Sequence, residues 1–142
     1  MDLSKLNVIE MANNGAKLEL VCPFDFTDEK GDFYAQGDPL IDTKGKNFFL
    51  CLLGTDSDVY RNAIKRRFEK NQKQKNQKID LDDAQLKAAQ LLAKCTTECY
   101  MLENNKPVEC TRDNLTRLYL NLPWLREQAE TFMGDRSNLS TS

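Results

Sequence analysis

Histidine is absent from the sequence, which removes the commonest side-chain general base and the commonest metal ligand together. No window approaches the 18 or more consecutive apolar residues that a membrane-spanning helix needs, so no membrane partner is expected. The opening Met1-Asp2-Leu3-Ser4-Lys5 has neither a basic n-region nor an apolar h-region, so a secretory signal is not expected. The five cysteines, Cys22, Cys51, Cys95, Cys99 and Cys110, are odd in number and irregular in spacing. That pattern points to reduced thiols in a cytoplasm rather than to a disulfide framework. A Gly-rich phosphate loop, a nucleophile elbow and a Cys–His pair are all missing, which leaves no basis for an enzyme and no implied cofactor.

What remains is an ordinary globular composition. Apolar residues make up 40% of the 142 and charged residues 30%, enough for one compact domain with a small appended subdomain. A chain of this length buries roughly two-thirds of its unfolded surface and needs no covalent staples. The net charge is only −2, but it is unevenly spread. Residues 1–60 carry 11 acidic and 5 basic side chains, whereas residues 61–142 carry 11 acidic and 15 basic, so the chain is electrically two-sided.

The first half reads as extended structure. Lys17-Leu18-Glu19-Leu20-Val21-Cys22 alternates polar and apolar residues up to Pro23, the pattern of a half-buried strand. Residues 25–38, rich in Asp, Gly and Thr, read as a loop. Asp42-Thr43-Lys44-Gly45-Lys46 predicts a hairpin turn before the apolar strand Asn47–Leu53, giving a small antiparallel sheet across residues 16–54. At Thr55-Asp56-Ser57-Asp58 the period changes: capping oxygens precede a helix of about 57–72, whose inner face is Val59, Tyr60, Ala63, Ile64 and Phe68. Lys70–Lys78 is polar and of low complexity, either the frayed end of that helix or a linker. A second helix is expected from Asp80 to Cys99, with Leu81, Ala84, Ala88, Leu91, Leu92, Cys95 and Cys99 as its apolar stripe. A hairpin across residues 100–110 follows, then a third helix capped by Thr111 with Leu115, Leu118 and Tyr119 inward. Pro123 suits the first position of a fourth helix, which carries Trp124, Leu125, Gln128, Ala129, Phe132 and Met133 and ends at Gly134. The expected fold class is therefore α+β, with a β-rich region at 1–54, a domain of about four helices with one short hairpin at 55–136, and a mobile tail at 137–142.

Three constellations bear on chemistry. Cys95 and Cys99, four apart on the expected helix, would share a face and supply half of a zinc site. Two further ligands are lacking, so small apolar filler on a buried face is the preferred reading. The run Arg61–Lys78 holds eight basic residues and one acid, Glu69, and would suit phosphates. Its only aromatics, Tyr60 and Phe68, fit the helix's inner face, so a solvated helix is preferred and nucleic acid is not an expected partner. Docking of an acidic protein surface, including that of a neighbouring copy, is a third use. The pairs Asp56/Asp58 and Asp82/Asp83 sit at helix starts, where capping accounts for them.

Two stretches carry a resemblance. The apolar strand ending in Gly54-Thr55-Asp56-Ser57-Asp58, followed by Tyr60-Arg61-Asn62-Ala63, resembles a segment of the tail assembly chaperones of long-tailed bacteriophages, where a G-x-D-S turn leads into a charged helix. The run Leu118-Tyr119-Leu120-Asn121-Leu122-Pro123-Trp124-Leu125-Arg126-Glu127-Gln128, then Phe132, is similar to that family's C-terminal L-Y-x-x-x-P-W-L-R-E-Q segment. The resemblance covers residues 45–139, and the Lys- and Asn-rich linker departs from the Ala- and Arg-rich equivalent of the family.

The resemblance implies a non-enzymatic protein of the host cytoplasm, absent from the mature virion. Such a protein coats the tape-measure protein, recruits tail-tube subunits and self-associates. Asp56, Ser57, Tyr60, Tyr119, Pro123, Trp124, Leu125, Arg126 and Phe132 are then the candidate protein-binding residues. Trp124, the only tryptophan, is expected to be a buried anchor between the fourth helix and the helix at 80–99. The alternatives are a structural virion component, such as a tail-completion or head–tail connector protein, and a small nucleic-acid-binding regulator.

Overall fold

The computed structural model describes residues 2–73 and 81–139. The linker positions 74–78, the expected helix start at Asp80 and the last three residues lie outside them. After a single 3-10 turn at Leu3–Leu6, the elements run α1 (Val8–Asn14), β1 (Ala16–Glu19), β2 (Phe26–Thr27), β3 (Phe33–Tyr34), β4 (Phe49–Leu52) and α2 (Asp58–Lys73). They continue as α3 (Leu81–Cys95), β5 (Thr96–Tyr100), β6 (Leu102–Glu103), β7 (Lys106–Pro107), α4 (Arg112–Asn121), α5 (Pro123–Gly134) and α6 (Arg136–Leu139). The class is α+β, an N-terminal antiparallel sheet region followed by a mainly helical part.

The sheet is three-stranded and antiparallel in the order β1-β4-β5. Its middle strand carries the most apolar run of the first half, Phe49-Leu50-Cys51-Leu52, of which Phe49, Leu50 and Leu52 are buried. A strand paired on both edges and covered on both faces satisfies every backbone group internally, which is why it tolerates such a run. The turn predicted at residues 42–46 is present. The Asp42 carboxylate accepts hydrogen bonds from the amides of Lys44 and Lys46, both at 2.8 Å, and Gly45 takes a φ of +83°. Such a φ costs a residue with a Cβ but not glycine.

The helix expected to run from residue 80 to 99 stops at Cys95, and the chain enters β5. Two β-branched residues in sequence, Thr96 and Thr97, favour the pleated conformation. The Thr96 hydroxyl also donates to the Leu92 carbonyl at 2.7 Å, closing the last helical turn. Cys95 and Cys99 therefore lie on different elements and share no helix face. Ala84 and Leu81 are exposed instead of inward, and the buried positions of α3 are Ala89, Leu91, Leu92, Ala93 and Cys95. Because β5 pairs with β4, the sheet spans the division expected at residue 54. A one-residue bulge at Thr97 adjusts the register between Cys51↔Glu98 and Leu52↔Thr96.

Residues 25–38, expected as a loop, contain the β2–β3 hairpin. Its strands are held by the stacked rings of Phe26 and Tyr34, 4.9 Å apart, and by the Asp28 carboxylate, which accepts from the amides of Lys30 and Asp32 and from the Tyr34 hydroxyl. The hairpin expected at 100–110 is present as β6–β7, turning at Asn104 and Asn105, both with positive φ. Thr111 caps α4 through the Asn114 amide at 3.2 Å, and Leu115, Leu118 and Tyr119 are buried as expected. The Tyr119 hydroxyl lies 2.8 Å from Thr96 Oγ1. Since that hydroxyl already donates to Leu92, Tyr119 is the donor, and a buried polar chain is completed.

The segment after Gly134, expected to be mobile from residue 137, turns inward as α6 and buries Leu139 to 2% exposure. Gly54 makes this possible. A Cβ there would collide with the Leu139 side chain and lie 2.9 Å from the Cβ of Ala12, so α1, α6 and the end of β4 meet where only glycine fits. Removing the Leu139 side chain should therefore act as a core truncation. Leu139→Ala is expected to lower unfolding free energy by about 2–5 kcal/mol in urea titrations. A change below about 0.5 kcal/mol, the usual size for exposed positions, would mean that the segment does not dock.

Candidate functional site

The first resembling motif proves to be a junction. Ser57 is fully buried and its Oγ accepts the Tyr60 amide at 3.2 Å, so it caps α2 as expected. Asp56 forms a two-pronged ion pair with Arg136, at 2.6 and 2.9 Å, and so ties the start of α2 to α6. This guanidinium holds the Asp56 carboxyl below its ordinary pKa. Asp58 exchanges two hydrogen bonds with the side-chain amide of Asn13 on α1. Tyr60 is half-buried against the core. Asp56, Ser57 and Tyr60 thus hold helices together and form no open site.

The second motif has a different character. Pro123 stands at the first position of α5 and is exposed; Leu125, two residues on, is fully buried. Trp124 and Gln128, one turn apart, share a face. Gln128 presents its amide to Val21 as a strand would, accepting from the Val21 N–H at 3.2 Å and donating to its carbonyl at 2.9 Å. That pairing turns the face toward residues 20–24. Trp124 accordingly lies half-buried beside Leu20, Pro23 and Phe24, and not between α5 and α3 as a fully buried anchor. The expectation failed because the N-terminal segment, folded across the start of α5, competes for the indole.

Between these walls runs an apolar groove of about 360 Å³. Its floor is Leu20, Leu118 and Leu125; its sides are Phe24 and Phe26 from the N-terminal segment, Phe48 just before β4, Leu102 of β6 and Val108 just after β7, Leu122 between α4 and α5, and Trp124 of α5. Among the described residues that line it Glu103 is the only charged one, and its carboxylate is held by Arg117 at 2.8 and 3.0 Å. Phe24 is 58% exposed at the rim. On the other side of Trp124 a shallower depression continues past Val21 and Gln128 to Phe132. Arg126 is half-buried and aligned with Glu130 at 3.9 Å. Tyr119, wholly buried, reaches no surface.

Of the nine candidates, then, the structure brings Trp124 and Leu125 into one groove and Phe132 beside it. The residues that sequence reasoning missed are Phe24, Phe26 and Phe48. For Phe24 and Phe26 the one signal was local, aromatic residues in Pro23-Phe24-Asp25-Phe26 inside a stretch otherwise polar enough to be a loop; Phe48 lay in the strand expected at Asn47–Leu53 with nothing to mark it as part of a groove. Among the described residues no group of three or more carboxylate, thiol or imidazole side chains is placed to hold a metal ion, and no helix is long and apolar enough to cross a membrane. Compared with protein-family models, curated proteins and solved structures, the chain matches none.

The thiols differ sharply in setting. Cys22 and Cys95 are buried, Cys51 and Cys99 half-buried and Cys110 exposed, all five unbridged. Burial pushes the Cys95 thiol up to about 11, and burial together with the neighbouring Cys110 pushes Cys99 up to about 12. A raised thiol pKa means that the neutral form is the one the fold favours. Its contribution is complete below the ordinary value near 9 and is lost as pH rises through about 11 to 12. Folding stability should therefore fall steeply above about pH 9. At pH 8, iodoacetamide followed by mass spectrometry should label Cys110 first and Cys95 only on unfolding; rapid labelling of Cys95 in the native protein would contradict its burial.

Proposed function

We propose that this protein is a non-enzymatic assembly chaperone of the phage-tail type, whose Trp124 groove receives apolar side chains of a tape-measure protein. The observation that supports this is the coincidence of two independent features. The most specific part of the resemblance, Pro123-Trp124-Leu125, lies on the apolar groove, and its tryptophan is half-buried instead of spent in the core. A groove of about 360 Å³ with a fully apolar floor suits two or three large side chains on one face of an amphipathic helix. Half-buried aromatics at such a rim are the usual anchors of protein recognition. A chaperone needs release as well as capture, and a small groove gives weak single contacts that become firm only when repeated along a long client. Recruitment of tail-tube subunits, work in the host cytoplasm and absence from the finished virion belong to the same reading.

The test is titration with amphipathic helical fragments of the tape-measure protein of the same phage, read by the emission of the single tryptophan. Binding should shift that emission to the blue. Phe24→Ser, at an exposed position, should leave the melting temperature within about 2 °C of wild type and weaken binding at least tenfold, about 1.4 kcal/mol. Unchanged emission together with full affinity in Phe24→Ser would remove the groove from the function.

A further inference from the structure

A second concavity lies away from the groove and shares no residue with it. It is a cleft of about 410 Å³ between α2, α3 and the start of α4. Arg66, Arg67 and Lys70 line it from α2, Lys87 and Lys94 from α3, and Arg112 from α4; Asp113 is the only acid among the described residues that line it. Outside the lining, Asp83 pairs with Lys87 one turn along α3 at 2.9 Å, which still leaves a strong positive excess. Arg67 has a buried Nη2 with no hydrogen-bond acceptor among the described residues. A guanidinium nitrogen withdrawn from water without an acceptor is costly, and an incoming carboxylate would relieve that cost. The lining positions 63–70 on α2 and 87–94 on α3 each span two helical turns, about 10 Å, so the cleft is a trough and not a single-ion socket.

The chain carries a matching shape of opposite charge. Among the described residues the hairpin β2–β3 pairs with no other strand, and residues 25–38 around it hold Asp25, Asp28, Glu29, Asp32 and Asp38 against one base, Lys30. Its tip, residues 28–32, joins two strands whose backbones lie about 5 Å apart, so it is a narrow projection. We infer that the cleft of one copy binds the acidic hairpin of a second copy, joining molecules head to tail. Joined in this way, each pair leaves one cleft and one hairpin open for a further copy, so the contact is heterologous. Both are exposed and charged, so the contact is weak and dependent on ionic strength.

Sedimentation velocity of the full chain at about 100 μM tests this, at roughly 30 mM and roughly 500 mM salt, where screening lengths differ several-fold. Association that grows with concentration is expected at low salt and is lost at high salt. Arg66→Glu with Lys70→Glu should abolish it, and so should Glu29→Lys with Asp32→Lys; circular dichroism should show both variants folded. Mixing the two variants should restore association, because each then offers the charge that the other lacks. A monomer at low salt would overturn the inference, as would association indifferent to both charge reversals or no recovery on mixing. Binding of a single-stranded oligonucleotide to the cleft without self-association would also overturn it and assign the cleft to nucleic acid. Phe24→Ser changes no charge on either surface and the charge reversals change no groove residue, so loss of client binding and loss of self-association are read separately.

Discussion

Strand β4 is the element on which the rest of the structure hangs. It pairs with β1 on one edge and β5 on the other, so it joins segments that lie about 35 residues before it and 45 after it. Leu50 and Leu52 are wholly buried, each worth roughly 1.5–3 kcal/mol in apolar burial, and they meet Leu92, Cys95, Leu115 and Leu125 in one continuous core. The strand's end then sets the helical half. Leu53 donates to the Cys95 carbonyl and Gly54 to that of Ala12, so α3 and α1 are both fastened to the same two residues.

From that anchor the two motifs acquire different roles. Gly54-Thr55-Asp56-Ser57-Asp58 follows β4 directly and lies where α1, α2 and α6 converge, so its polar groups are consumed in capping, in the Asp56–Arg136 pair and in the Asn13–Asp58 exchange. Pro123-Trp124-Leu125 lies at the opposite side of the core, where α5 begins against the N-terminal segment. There Leu125 goes inward and Trp124 is left at the edge of a groove. Neighbouring residues in the first turn of α5 thus divide between the core and the groove.

The charge asymmetry has a spatial counterpart. The positive excess of the second half collects in the trough between α2, α3 and α4, while the negative excess of the first half projects on a hairpin whose strands pair only with each other. Carboxylates inside that hairpin are already engaged with backbone amides: Asp28 with Lys30 and Asp32, Asp25 with Gln36, Asp38 with Ala35. These bonds shape the arm without neutralising it, since an amide donor carries no net charge.

Local chemistry was legible from residues alone wherever its causes were local. The alternation ahead of Pro23, the turn closed by Asp42 and Gly45, the Ser57 and Thr111 caps, Pro123 at a first helical position and the inward set Leu115, Leu118 and Tyr119 all rest on neighbours within a few positions. Residue order also separated the acidic half from the basic half. Long-range competition decided the rest. Whether residues 96–100 continue a helix or join a sheet depends on the free edge of β4, which no local pattern records. Whether Trp124 is core or rim depends on Gln128 finding Val21, 107 residues away. Whether residues 136–139 fray or dock depends on the missing side chain at Gly54. In each case the local preference is worth about a kilocalorie per mole or less, and packing of distant segments, worth several, overrides it.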